Sequence, residues 1–174
     1  MATTRERRAP VTRDDEFTDF VVVRGSALRR TAYLMTGDWH EAEDLTQVAL
    51  AKLYVAWPRV RRDGAEAYAR RIVARAFIDA RRRHWRRERP TDELPDLAGP
   101  SDRVDERLDL AQALAQLSAS HRAVLVLRFW EDLSVEQVAD ALSLSIGTVK
   151  SQTSRALDRV RTLMGADAVL VGME

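Results

Sequence analysis

The chain has 174 residues, with 28 Lys and Arg against 27 Asp and Glu and a formal net charge of +1. Its length allows one domain or two small ones. The absence of cysteine excludes disulfides and thiolate metal sites, and the three histidines lack metal-ligand spacing. No apolar run reaches the length of a membrane span and no signal-peptide pattern opens the chain, so we expect a cytoplasmic protein.

The first two predicted helices follow a tail, residues 1–11, that we expect to be disordered. The first begins near Thr12, with acids in its first turn where the helix dipole favours them, and ends at Gly37. The second begins at Asp38 and stops before Pro58. With only 7 Gly and 5 Pro in the chain, the sequence predicts long helices and an all-α fold.

The second helix carries a stripe of unusual composition beside its apolar face. Asp44, Gln47, Val48 and Ala51 follow one another at i, i+3, i+4 and i+7, which places them on one side of a helix. An acid, an amide and small apolar residues fit either ordinary surface or a docking face for another protein. Taken alone, these residues favour ordinary surface.

A basic helix is predicted from Ala65 to Glu88, after an Arg-bearing loop at 58–64. Between Arg70 and Arg89 there are nine arginines and two acids. A row of arginines without paired acids is costly on a helix face unless it meets a polyanion, so we prefer nucleic acid to a solvated face. Of the aromatic residues that bracket this region, Trp57 is expected in the core.

Residues 89–102 contain three prolines, a glycine and several acids without periodicity, which is typical of a linker. The linker divides the chain into two helical domains, residues 12–88 and 103–165. Residues 91–120 hold seven acids and two arginines, opposite in charge to the basic helix. This asymmetry indicates a nucleic-acid surface in one part and a solvated or masking segment in another.

The stretch from Ser134 to Arg161 predicts a helix-turn-helix. Ser134 and Gln137 have capping-box spacing, and Ser145 is placed to cap a second helix after a turn of three or four residues. Polar side chains lie off the apolar side of that second helix, where a recognition helix meets base edges. A plain amphipathic helical hairpin is the alternative.

Three segments stand in an informative order: GDWHEAEDLTQVALAKLYVAW, the basic AYARRIVARAFIDARRRHWRR and, after the Pro-rich linker, LSVEQVADALSLSIGTVKSQTSRALDRVR. Together they resemble the extracytoplasmic-function group of the sigma-70 family, within it the SigE-type members of actinobacteria. The resemblance spans residues 14–164. It implies two helical domains and a factor that binds RNA polymerase core, recognises promoter −10 and −35 elements and initiates transcription.

The resemblance also implies residue roles and partners. It places the docking of the largest polymerase subunit on Asp44, Gln47 and Val48. It places −10 binding on Arg61, Arg62, Arg71, Arg75, Arg82 and Arg86. It places −35 binding on Thr148, Lys150, Ser151, Gln152, Ser154 and Arg155. The C-terminal module is implied to touch the second-largest subunit, and an anti-sigma factor is a further candidate partner.

Four positions depart from the family pattern. Val48 stands where an acid is usual, Arg75 where Asn is usual, Gln152 where Arg is common, and Ser154 where an aromatic residue or His precedes Arg155. These departures leave the promoter sequence open but not the general role.

Two other function classes fit the sequence less well. A stand-alone helix-turn-helix transcription regulator would leave the basic N-terminal module and acidic linker unexplained. A nucleic-acid enzyme would need clustered acids for metals, or a nucleophile with a base, whereas the acids here are scattered or lie at helix starts. We therefore expect no catalytic residue, no metal and no cofactor.

Overall fold

The computed structural model describes residues 12–87 and 106–164, with backbone only at 84–87 and 106–109. The α-helices are α1 Arg13–Thr36, α2 Trp39–Ala56, α3 Ala65–Arg87, α4 Glu106–Ala115, α5 Ala119–Leu125, α6 Val135–Leu142 and α7 Ile146–Met164. A 3-10 turn, Arg62–Gly64, leads into α3, and a π-helical turn, Val126–Trp130, continues α5. The all-α prediction is confirmed. The predicted tail, the predicted linker and the end of the second predicted domain at residue 165 lie outside the described residues.

Local capping sets the ends of α1. The Thr12 hydroxyl accepts a hydrogen bond from the backbone N–H of Asp15, and the Asp15 carboxylate accepts one from the backbone N–H of Thr12 at 2.9 Å. The bond from the Thr12 backbone N–H, followed by one that the Thr12 hydroxyl donates to the same carboxylate at 2.8 Å, lowers the pKa of Asp15. At the other end Gly37 takes a left-handed conformation, with φ of 78°, which Gly adopts without a Cβ penalty.

Asp38 caps α2 by accepting a hydrogen bond from the backbone N–H of Glu41 at 2.8 Å. The spacing of Asp38 and Glu41 is that of a capping box, but the reciprocal bond is not formed, because the Glu41 carboxylate instead pairs with Arg81 of α3 at 2.8 Å. This ion pair ties the start of α2 to the middle of the basic helix.

Helices α1, α2 and α3 pack around a first core at the end of the molecule that carries the 58–64 loop. Trp57 is only 1% exposed there, which confirms its expected core position, and it packs beside Leu28 and Leu53. The rings of Phe17 and Phe20 lie 5.1 and 5.3 Å from the Trp57 ring. This aromatic cluster gives the loop that follows α2 a rigid base.

A larger core joins the two helical units. It contains Met35 and Phe77 from the first unit and Val124 and Leu127 from the second, all fully buried. Helix α3 packs against both α5 and α6. The two units are therefore in direct contact, and the basic helix lies at their boundary.

Candidate nucleic-acid interface

The helix-turn-helix forms as its capping residues predict. The Ser134 hydroxyl accepts a hydrogen bond from the backbone N–H of Gln137 at 3.2 Å, and the Gln137 side chain accepts one from the backbone N–H of Ser134 at 2.7 Å. Ser143 ends α6 in the left-handed region, with φ of 55°. The Ser145 hydroxyl then caps α7 by accepting from the backbone N–H of Thr148 at 3.0 Å.

Helix α7 buries one side and exposes the other. The buried side contains Val149, Ala156 and Val160, whereas Ile146, at the first position of the helix, is 45% exposed. Among the predicted −35 residues, the exposed ones on the opposite side are Lys150, Ser151, Ser154 and Arg155. Four of the six predicted −35 residues therefore stand together on one accessible face.

The other two are held within the module. Thr148 is half-buried and shares a hydrogen bond with the Ser145 hydroxyl at 2.8 Å. Gln152 is also half-buried, and its side-chain oxygen accepts from the Ser120 hydroxyl of α5 at 2.9 Å. These contacts leave Thr148 and Gln152 less available to DNA than their neighbours.

Cationic side chains flank the exposed face of α7. Lys150 near the start of the helix and Arg161 near its end line a shallow groove together with Arg128. Hydrogen bonds from its own backbone and from Ser134 lower the pKa of Glu136, and the charges of Lys150 and Arg128 lower it further. A concentration of positive charge beside an exposed helix face is suited to a phosphate backbone.

The arginines of α3 stand in a different environment from the one predicted. Arg71 pairs with the Asp140 carboxylate of α6. The Arg75 guanidinium donates to the backbone oxygens of Ala141 at 2.7 Å and Asp140 at 3.2 Å, and to the Ser143 hydroxyl at 2.6 Å. The premise of a row without paired acids is therefore wrong for Arg71, which meets a carboxylate of the C-terminal unit. Arg75 is engaged by neutral oxygen atoms of the same unit.

Arg70 extends this contact between the two units. Its guanidinium pairs with Glu66 one turn earlier and with Glu131, which follows the π-helical turn. The Glu131 carboxylate also accepts a hydrogen bond from the hydroxyl of Thr31 in α1. Of the remaining predicted −10 residues on this helix, Arg82 is exposed, and the side chain of Arg86 lies outside the described part of the chain.

The 58–64 loop presents its two predicted arginines in opposite ways. The Arg61 side chain is 86% exposed and pairs with Asp63 at 3.0 Å. Arg62 turns back onto the protein, where it pairs with Glu16 of α1 and donates to the backbone oxygen of Trp57 at 3.1 Å. Arg61 is thus available to a ligand and Arg62 is used internally.

Arg122 is an important residue that the sequence interpretation missed. It is 8% exposed and donates to the backbone oxygens of Met35, Ala115 and Leu117 at 2.7, 2.5 and 3.3 Å. Burial, followed by repulsion from Arg81, lowers its pKa to about 10, so it stays charged at neutral pH. Its position directly before the apolar run at 123–127 was the available signal.

The stripe on α2 is accessible as predicted. Asp44, Gln47 and Val48 are all exposed, and Val48 is 45% exposed. Val22 and Val23 of α1 are 75% and 65% exposed, and neither was singled out from the sequence. Helices α1 and α2 thus leave both polar and apolar side chains open to a partner.

Two features of the described residues bear on other functions. Within residues 12–87 and 106–164, no group of three or more His, Asp or Glu is placed to hold a metal ion. The described helices include none that is both long and apolar enough to cross a membrane.

Comparisons with known proteins agree with this geometry. Residues 22–87 match the model of sigma-70 region 2, and residues 113–162 match the model of sigma-70 region 4. The RNA polymerase sigma-E factor of Streptomyces avermitilis is 40% identical over 154 residues, which cover 84% of this chain and 83% of that one. The chain belongs to the sigma-70 family. It is a sigma factor, which acts with RNA polymerase at promoter DNA in transcription initiation.

Other relatives define the group within the family. The extracytoplasmic-function sigma factor SigL of Mycobacterium tuberculosis is 36% identical, covering 78% of this chain and 81% of that one. SigE of Mycolicibacterium smegmatis is 31% identical, covering 76% of this chain and 55% of that one. Together with the Streptomyces relatives, they place this sigma factor among the SigE-type extracytoplasmic-function proteins.

Solved structures share its fold. The sigma factor RpoE of Bartonella quintana, in complex with the anti-sigma factor NepR, superposes with a TM-score of 0.67 at 26% identity and covers 87% of this chain and 98% of that one. CnrH, in complex with the cytosolic domain of CnrY, gives a TM-score of 0.61 at 24% identity over 87% of this chain and 88% of that one.

Proposed function

We propose that this sigma factor divides promoter recognition between its two helical units. The C-terminal unit reads the −35 element with α7, and the N-terminal unit binds the −10 element with the 58–64 loop and α3. Core polymerase docks on the α2 stripe formed by Asp44, Gln47 and Val48. The observation that carries the proposal is the exposed face of α7 on a capped helix-turn-helix, in a chain that belongs to this family.

In the −35 site, we assign contacts in the DNA major groove first to the four side chains that are exposed on one face of α7, namely Lys150, Ser151, Ser154 and Arg155. Lys150 lies near the start of α7, where recognition helices present side chains to bases. Thr148 and Gln152 support the site from its edge, since each already makes a hydrogen bond inside the module.

In the −10 site, Arg61 and Arg82 are accessible in the present structure, whereas Arg71 and Arg75 contact α6. The two promoter elements lie about 25 base pairs apart, a distance of about 85 Å along B-DNA. A compact chain of this length has a radius of gyration of about 16 Å. The two units must therefore separate to reach both elements, and that separation exposes Arg71 and Arg75 to DNA.

The sigma factor is proposed to work without catalytic activity or a cofactor, since RNA synthesis belongs to the core enzyme. We place it in the cytoplasm, where its polymerase acts. The solved neighbours are complexes with anti-sigma factors or with a cytosolic partner domain, which supports an anti-sigma factor as a further partner of this chain.

Run-off transcription from genomic promoters tests the proposal, with core polymerase alone and with the sigma factor added. We expect specific transcripts only when the sigma factor is present. Replacing Asp44→Ala together with Gln47→Ala should lower core affinity and transcript yield while circular dichroism stays unchanged. Tight, sequence-specific DNA binding without polymerase, and no polymerase-dependent transcript, would instead identify a stand-alone regulator.

A further inference from the structure

Arg62 makes an unusual set of contacts for an arginine in a loop proposed to meet DNA. Its Nε donates to the Glu16 carboxylate at 3.0 Å, and one terminal nitrogen contacts the same carboxylate. The other terminal nitrogen donates to the backbone oxygens of Trp57 at 3.1 Å and Val60 at 3.3 Å. The guanidinium carbon lies 4.2 Å from the centre of the Trp57 ring.

These contacts use most of what the side chain offers. A guanidinium has five N–H donors, and contacts to Glu16, Trp57 and Val60 engage all three of its nitrogens. One face of its plane is covered by the Trp57 ring, a favourable cation–π arrangement. Although the side chain is partly exposed, little of its hydrogen-bonding capacity remains for a phosphate or a base edge. Arg61, one residue earlier, is 86% exposed with a single carboxylate partner.

We infer that Arg62 is a positioning residue that holds the 58–64 loop in the shape required for −10 binding, and that it does not itself contact DNA. The inference rests on the proposed role of this loop. Arg62 joins three elements, namely the first turn of α1 through Glu16, the end of α2 through the Trp57 oxygen, and the loop through the Val60 oxygen. It thereby fixes the direction in which the exposed Arg61 leaves the protein.

Loss of the Arg62 contacts should affect the conformation of the loop more than the global stability of the protein. The Arg62 and Glu16 side chains are 49% and 42% exposed, so solvent screens their ion pair and its contribution to global stability is small. The hydrogen bonds to two backbone oxygens are directional and act on the loop itself. Loss of Arg62 should therefore loosen the loop while the three-helix core and the α2 docking stripe remain intact.

The decisive experiment removes the partner of Arg62 rather than Arg62. Glu16→Ala takes a negative charge away from the proposed DNA surface. If Arg62 contacts phosphate, this change should raise promoter opening by releasing it. If Arg62 positions the loop, Glu16→Ala should lower open-complex yield by roughly three- to tenfold. The matched control is Asp19→Ala, which removes an exposed acid one turn further along α1 and should cause no loss.

The assay is permanganate footprinting of open complexes formed by holoenzyme, with core affinity measured in parallel. Arg62→Lys keeps the charge but loses the planar fork, so it should lower the yield as Arg62→Ala does. Arg62→Ala combined with Glu16→Ala should lower the yield no further than Arg62→Ala alone. Core affinity should stay unchanged, which a general loss of folding would not allow. Full activity of Arg62→Lys, or higher opening with Glu16→Ala, would overturn the inference.

Arg61→Ala separates this inference from the proposed function. It should reduce the salt dependence of promoter binding by about one phosphate contact. If Arg61→Ala and Arg59→Ala both leave opening and salt dependence unchanged, the loop does not meet DNA and the proposed −10 role of the loop itself fails.

Discussion

The basic helix α3 and the recognition helix α7 both carry cationic side chains off their buried faces, yet the structure treats them in opposite ways. Arg71 and Arg75 of α3 are half-buried against α6 and bonded to it. Lys150 and Arg155 of α7 are exposed and form no ion pair with another described residue. One proposed DNA surface is therefore covered by the other half of the same molecule, and the other is open.

The difference shows that a row of arginines on one helix does not reveal from sequence alone which groups those arginines contact in the folded protein. The groups that meet Arg71 and Arg75 are the Asp140 carboxylate and the last carbonyl oxygens of α6, where the helix dipole is negative and favours a cation. These are weak substitutes for a polyanion, because the Asp140 side chain is 72% exposed and screened by solvent. These polar contacts should therefore yield readily to polymerase and DNA, and the buried core beneath them sets most of the free-energy cost of separating the units.

The largest effect is expected when the two units are held together. The chain contains no cysteine, so Arg71→Cys and Asp140→Cys introduce a unique pair that a short bis-maleimide can bridge. The bridged sigma factor cannot span about 85 Å of DNA, so promoter-specific transcription should fall by well over tenfold. Each single-cysteine variant treated with the same reagent is the control. Undiminished transcription from the bridged protein would show that opening is not needed.

Arg122 tests how strongly the units are joined beneath the polar contacts. Arg122→Ala leaves the backbone oxygens of Met35, Ala115 and Leu117 without their donor. We expect a loss of about 2–4 kcal/mol in the free energy of unfolding, measured by urea denaturation. Arg159→Ala, which changes an exposed arginine of α7, should stay within about 0.5 kcal/mol of the parent. Equal effects from the two changes would contradict the role assigned to burial.

The exposed face of α7 should select the DNA sequence, whereas α3 should mainly contact the phosphate backbone of the DNA. Arg155→Ala and Lys150→Ala are expected to shift the preferred −35 sequence, with about 1–3 kcal/mol of discrimination lost for each good base contact. Arg82→Ala should lower output evenly across promoters and reduce the salt slope by about one. Transcription by holoenzyme from randomised −35 elements measures the sequence preference and the evenness of the loss. The same assay at several salt concentrations measures the salt slope. An even loss from Arg155→Ala and Lys150→Ala would mean that α7 only anchors to phosphates.

The smallest effect is expected from weakening the contact between α6 and the arginines of α3. Asp140→Ala removes the carboxylate that pairs with Arg71, so the isolated sigma factor should bind promoter DNA roughly threefold more tightly. Asp132→Asn is the control, because it neutralises an exposed acid of the same module that forms no ion pair among the described residues, and Asn tolerates the left-handed backbone there. A similar gain from both changes would reflect net charge rather than release of Arg71.

Most of the fold was predictable because its helix ends are set locally. Thr12, Gly37, Ser134 and Ser145 act through hydrogen bonds or backbone conformation within a few residues, and such signals can be read from a single sequence. The exposed faces of α2 and α7 follow from helical periodicity in the same way. The predicted residue roles in docking and DNA binding stay predictions.

The contacts between the units were not predictable, because they join residues far apart in the chain. Arg71 and Asp140 are separated by 69 positions, and Arg122 meets a backbone oxygen 87 positions away. Local periodicity carries no information about contacts between residues so far apart in the sequence. Gln152 shows the same limit on a smaller scale, since its partner Ser120 lies on another helix.

The distance between the two units in solution tests the central claim most directly. Spin labels at Arg83→Cys and Arg159→Cys would report this distance by double electron–electron resonance. Both positions are exposed, and they lie on α3 and α7. We expect a short distance, within the size of a compact chain, for the sigma factor alone, and a distance longer by at least about 30 Å in the transcribing promoter complex. An unchanged short distance in a complex that transcribes from both elements would contradict the separation of the two units.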